Sequence, residues 1–122
     1  MSLKKIQKFK FNYDSSSDDL FLFSSNSKSK GSIEFGDVIL DFNSKRELVG
    51  IQFMNASKFI TTLTGDKNIK TILENLKESK AEITYRENII IIKFYLIGSL
   101  NEVSSTLSIP SIIESSPALA YA

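Results

Sequence analysis

The chain has no cysteine and no histidine. The first absence rules out disulfides and thiolate zinc sites. The second removes the usual general base, the commonest metal ligand, and any Ser-His or Cys-His pair. An excess of charge of either sign is also missing. Lys and Arg number 15 against 14 Asp and Glu, a net charge of +1. That is neither the strongly basic footprint of a nucleic-acid binder nor an acidic tail. Long apolar runs are absent too. The most apolar stretch, "IIIIKFYLIG" at 89–98, is interrupted by Lys93 and is about half the ~20 residues a membrane helix needs. The opening "MSLKKIQKFKF" is charged and alternates, unlike a secretory signal. These absences predict a cytoplasmic protein with no cofactor, no membrane partner and no nucleic-acid partner.

What is present is ordinary globular material: 42% hydrophobic and 24% charged over 122 residues, enough for one domain with one core. That domain is read as residues 1–109, followed by a tail at 110–122 whose Ile112, Ile113, Leu119 and Tyr121 could dock on the body or a partner. "KKIQKFKFNY" alternates, with Phe9, Phe11 and Tyr13 on one face and Lys8 and Lys10 on the other. That is a half-buried strand, not an aromatic stacking platform edged by lysines. "LFLF" at 20–23 is apolar on both faces and needs cover twice or an interface. "SSNSKSKGS" is a polar loop, in which Lys28 and Lys30 lack the strand–loop–helix context of a phosphate loop.

The segment "DVILDFNSKRELVGIQF" reads as a hairpin over 37–54 with a four-residue loop, Asn43-Ser44-Lys45-Arg46. That loop pairs 40 with 49 and 38 with 51, and puts Val38, Leu40, Val49, Ile51 and Phe53 on one face. Gly50 then lies opposite Ile39, leaving room for a closely packed group. Ala56, Phe59, Ile60 and Leu63 have helical spacing, with Asn55 as N-cap and Thr64-Gly65 as the stop. Asp66 can cap a second helix whose stripe is Ile69, Ile72, Leu73 and Leu76, with Lys77 and Lys80 at its C-terminal end. Strands return with "AEITY", a turn at Arg86-Glu87-Asn88, "IIIIKFYLI", and an outer strand "EVSSTLSI" ending at Pro110. The order is five strands, two helices, three strands. The expected fold is α+β: a twisted antiparallel sheet with two helices packed on it.

Tyr13-Asp14, then Asp18 and Leu20, form the pattern Y-D-x-x-x-D-x-L. A second pattern runs through Gly36, Val38, Leu40-Asp41-Phe42, Leu48-Val49-Gly50-Ile51 and Ala56-Ser57. Together they resemble the uncharacterised family numbered 2283 among the domains of unknown function, over residues 11–58. The resemblance implies a β-meander followed by a helix, and no established activity. Some small relatives resemble partners of toxin-like proteins. Arg46 stands where the family has its turn glycine, and Asn43, Gln52 and Asn55 stand where it has acids. An arginine at a left-handed position costs about 1–2 kcal/mol, so a different loop geometry is expected.

Asp14, Ser16, Asp18 and Asp19 mimic a calcium loop, but Asp19 occupies the glycine position and no bidentate Glu follows. A turn in which Asp14 bonds its own backbone is the preferred reading. An acid-only metal site would use Asp14, Asp18 and Asp41. Asp37 and Asp41 are about 13 Å apart along one strand, too far to share a proton. The surplus of apolar strand faces requires a homodimer or a sheet that curls on itself, and the homodimer is preferred. Interface candidates are Phe21, Phe23, Ile89, Ile91 and Tyr95. The sequence leans against an enzyme. It points to a non-enzymatic binding or regulatory module, antitoxin-like in its narrowest form, with a homo-oligomer lacking outside partners and a metal-dependent hydrolase as alternatives.

Overall fold

In the computed structural model, residues 3–26 and 28–110 are described. Strands β1 (Leu3–Asp14), β2 (Asp19–Phe23), β3 (Gly31–Phe35), β4 (Val38–Phe42) and β5 (Leu48–Phe53) precede helices α1 (Ala56–Thr64) and α2 (Ile69–Glu74). Strands β6 (Leu76–Tyr85), β7 (Ile89–Gly98) and β8 (Glu102–Pro110) complete the order. The expected α+β fold is observed, and the expected tail beyond Pro110 lies outside the described residues.

The sheet order is β3-β4-β5-β2-β1-β6-β7-β8, and each neighbouring pair is antiparallel. Strand β1 changes partner along its length. Residues 3–9 pair with β6, and residues 10–14 pair with β2. The two halves of the sheet curl toward each other from this strand. The rings of Phe53 on β5 and Phe94 on β7 approach to 5.2 Å between centroids. The backbone N–H of Leu48 donates to the Tyr85 hydroxyl at 3.0 Å, and Lys5 pairs with Glu47. One core cluster therefore takes residues from both halves, together with Ala56 and Ile60 of α1 and Ile69, Ile72 and Leu73 of α2. The inner apolar faces are covered by the chain itself.

Helix α1 stops at Gly65, whose φ of 75° lets its N–H return to the Thr61 carbonyl at 2.7 Å. Leu63, expected in the buried stripe, shares its face but is exposed in the last turn of the helix. Helix α2 is shorter than expected. Asn75 ends it, donating its side-chain amide to the Thr71 carbonyl. Leu76 starts β6 instead of closing the helical stripe, and Lys77 and Lys80 lie on that strand. The strand period wins here because Ser79, Ala81 and Ile83 are buried between β1 and β7, and a bulge between Leu76 and Glu78 lets Leu76 join the same core. Asp66 does not cap α2. It accepts the Asn68 N–H at 2.8 Å in the turn before the helix.

The β4–β5 hairpin keeps its expected core faces by a different register. Leu40 pairs with Ile51 and Val38 with Phe53. The loop is one residue shorter than read: Arg46 N–H bonds to the Asn43 carbonyl, Asn43 N–H bonds to the Glu47 carbonyl, and Arg46 has φ 63°. That is a type I turn followed by a left-handed residue. A bulge near Phe42 then adds one residue back, so the two shifts cancel in parity. Leu48, not Val49, joins the main core as a result.

Arg46 thus sits in the left-handed conformation, contrary to the expected change of loop geometry. Asn43 supports it by accepting the N–H groups of Lys45 and Glu47 at 2.9 and 3.0 Å. Arg46→Gly is expected to stabilise the protein by about 1 kcal/mol. Relief of the left-handed strain contributes ~1–2 kcal/mol, partly offset by the entropy of an unfolded glycine. A rise in urea midpoint at constant m checks this, and a fall would refute it.

Candidate functional site

The turn between β1 and β2 is built by its own acids. Asp14 Oδ1 accepts the Ser16 hydroxyl at 2.6 Å and the Ser16 N–H at 3.0 Å. These bonds, the hydroxyl first, hold the exposed Asp14 carboxyl below its usual range. Asp18 closes the turn with φ 58° and reaches across to α1. Its Oδ2 accepts the Ser57 hydroxyl at 2.7 Å, and both carboxylate oxygens lie 3.1 Å from the Ser57 N–H. Its carbonyl accepts the Ala56 N–H at 2.7 Å. Tyr13 donates its hydroxyl to Asp18 Oδ1 at 2.6 Å.

Asp18 therefore does the work expected of Asn55. Asn55 is left-handed, with φ 50°, and makes no side-chain cap bond. The orphan N–H groups of α1 are satisfied from 39 residues away in sequence. Burial alone would push the Asp18 carboxyl up. The hydrogen bonds from Tyr13 and Ser57, aided by the charge of Lys70, outweigh it and hold the group below its usual value. Burial and the adjacent carboxylate push the Tyr13 phenol far up, so it stays a donor.

Asp41 is 5% exposed and lies elsewhere. It accepts the Ser32 hydroxyl at 2.6 Å and the Gln52 amide at 2.9 Å. It stands opposite Gly50, correcting the expected Ile39 partner. A Cβ on Gly50 would meet Asp41 Oδ2 at 2.9 Å and the Leu22 carbonyl at 3.2 Å, so the closely packed group expected there is this carboxylate. Gln52 fits where a glutamate would face Asp41, because its amide supplies a donor.

Asp14, Asp18 and Asp41 are thus not assembled. Leu20 shares a rung with Phe53 and Val38, whereas Asp41 is on the rung of Gly50 and Phe23, three residues along and about 10 Å away. Among the described residues no group of three or more acids could hold a metal ion.

The interface candidates all lie on the outer side of the sheet, in two patches. Phe21 is 39% exposed and packs edge-on against half-buried Phe23 at 5.5 Å. Ile89, Ile91 and Tyr95 are half-buried on β7. Strands β1 and β6 separate the patches. Tyr95 is flanked by the ammonium groups of Lys80 and Lys93, 5.5 and 5.4 Å from its ring centre. Sequence reasoning passed over Ile6, which is 74% exposed. The alternation of β1 would have found it, since it shares the outward phase of Lys4 and Lys8.

The sequence pattern described as Protein of unknown function (DUF2283) matches residues 10–57. That stretch starts where β1 passes to β2 and ends at Ser57, the residue that Asp18 caps. An uncharacterized protein of Methanocaldococcus jannaschii is 31% identical over 98 residues, covering 79% of this chain and 80% of its own. No solved structure matches. The Tyr13–Asp18–Ser57 junction lies within the matched stretch, and with the archaeal relative extending the likeness over most of the chain, the protein belongs to the DUF2283 family of proteins of unknown function.

Proposed function

We propose that the protein is a non-enzymatic binding module that holds another polypeptide through the outer face of β2, an antitoxin-like mode of action. The supporting observation is the Phe21–Phe23 pair. It stands on the outer side of a sheet whose inner side is already packed, so the core does not require it. Aromatic anchors of this kind carry a large share of interface energy. The acids that a hydrolase would use are occupied structurally: Asp18 holds a helix end and Asp41 is closed in by Ser32 and Gln52. Among the described residues no helix is long and apolar enough to cross a membrane.

The test is affinity capture with the wild type and with Phe21→Ser/Phe23→Ser, both checked by circular dichroism and by size. A partner held by the wild type and bound about thirtyfold more weakly by the variant supports the reading. A wild-type homodimer that the variant converts to monomer identifies a second copy as the occupant and replaces the antitoxin-like reading with the homo-oligomer. Identical behaviour of the two proteins refutes the aromatic anchor.

A further inference from the structure

A separate cleft lies between the two helices. It has a volume of about 290 Å³ and is lined by Ser57, Lys58, Thr61 and Thr62 from α1 and by Lys67 and Lys70 from the start of α2 and the turn before it. Three lysines and three hydroxyl-bearing residues line it, and no acidic residue is among them. Three lysines of β1 differ: Lys4, Lys5 and Lys8 are each paired with a glutamate. Among the described residues, Lys58, Lys67 and Lys70 have no carboxylate oxygen within 4 Å. The nearby Asp18 feels Lys70, but its oxygens are already engaged by Tyr13 and Ser57.

The hydroxyls divide by role. Ser57 donates to Asp18 and Thr62 donates to the Lys58 carbonyl, which occupies both protons. The half-buried Thr61 hydroxyl makes no side-chain hydrogen bond among the described residues, so its proton is available to a ligand. Three lysines and one free hydroxyl donor lining the same cleft make it an acceptor-seeking, positively charged concavity. Its natural counterpart is a compact polyanion with several acceptor oxygens. We infer that this cleft binds the phosphate group of a small phosphorylated molecule, with Lys58, Lys67 and Lys70 supplying charge and Thr61 a hydrogen bond. The junction at Asp18 has a part in this arrangement, because it fixes the end of α1 that carries Ser57 and Lys58.

The probes are inorganic phosphate, pyrophosphate and adenosine monophosphate, each titrated at constant ionic strength against a chloride control while backbone amides are followed by NMR. Saturable shifts centred on residues 57–70 are expected with phosphate and absent with chloride. Lys67→Ala/Lys70→Ala should weaken binding at least about tenfold. Both lysines are exposed, so the fold should survive. Lys10→Ala, on the outer face of β1, should change nothing. Tighter binding of the nucleotide than of phosphate would identify an organic phosphate; equal binding would identify the phosphate group alone. Shifts that chloride reproduces, or an unchanged affinity in the double variant, would overturn the inference. Neither Phe21 nor Phe23 lines the cleft, so failure here leaves the protein-binding proposal standing.

Discussion

Phe94→Ala is expected to lower the free energy of unfolding by about 3–5 kcal/mol. Phe94 is fully buried on β7, and its ring meets that of Phe53 from the other half of the sheet. Phe53 in turn lies 6.0 Å from Phe59 of α1. Removing the benzyl group opens a void between elements that cannot easily close it. Phe94 is held in register by Ala81 on one side and Ser105 on the other, and Phe53 by Leu20 and Val38. Both walls are paired strands, so the cavity term adds to the transfer term. Native stabilities are about 5–15 kcal/mol, so this single change removes a large fraction. Guanidinium unfolding monitored by circular dichroism measures it. Leu107→Ala is the internal control: half-buried on edge strand β8, it should cost only about 1 kcal/mol. A Phe94→Ala cost no larger than that of Leu107→Ala would contradict face-to-face packing of the two halves.

Asp18→Ala should cost about 3–4 kcal/mol, from three sources. The cap on α1 is worth about 1–2 kcal/mol. The Tyr13 hydroxyl loses its acceptor, at about 1–3 kcal/mol. Alanine at φ 58° is strained by about 1–2 kcal/mol. These overlap, so the total is below their sum. Asp18→Asn keeps a residue that tolerates the left-handed region and should cost about half as much. Tyr13→Phe in both backgrounds gives the coupling between the pair, expected near 1 kcal/mol.

The same pair sets a pH dependence. The folded Asp18 carboxyl titrates below the usual carboxylate range, because the bonds it accepts outweigh its burial. A carboxyl depressed in the folded state binds fewer protons there than in the unfolded chain, so stability rises with pH across this interval. Its contribution is complete above pH ~3.9 and is lost as the pH falls through the lower folded value. The acid limb of the stability profile should therefore be shallower in Asp18→Asn than in the wild type. Parallel limbs would show that Asp18 is not ionised against Tyr13 and Ser57.

The order and type of the elements were readable because their periods are strong. "KKIQKFKFNY" and "EVSSTLSI" alternate cleanly, and Ala56, Phe59 and Ile60 keep helical spacing with Gly65 as a stop. Structure and expectation part where two periods overlap or where the deciding partner is remote. Leu76 continues the helical phase of Ile69, Ile72 and Leu73, and only its pairing with Gly98 assigns it to β6. The hairpin register depended on a bulge that no local residue announces. Asn55 satisfied every local rule for a cap and lost the position to Asp18. That choice rests on a contact spanning 39 residues. Likewise, the lysines of the helical cleft look like ordinary surface charge until α1 and α2 are set side by side.

The division of β1 between two partners bears on how the protein is made. Ser79 donates its hydroxyl to the Phe9 carbonyl across 70 residues of sequence, so the first half of β1 is synthesised well before the strand it pairs with. By the time β5 has emerged, Leu22, Leu40, Ile51 and Phe53 can already line one face of a nascent half-sheet. The strands that cover this face, β6 to β8, follow only after several seconds at ~5–20 residues per second. During that interval the nascent half-sheet presents an uncovered apolar face, and the first half of β1 is a raw edge. A heavier dependence on chaperones is expected during translation than during refolding of the complete chain.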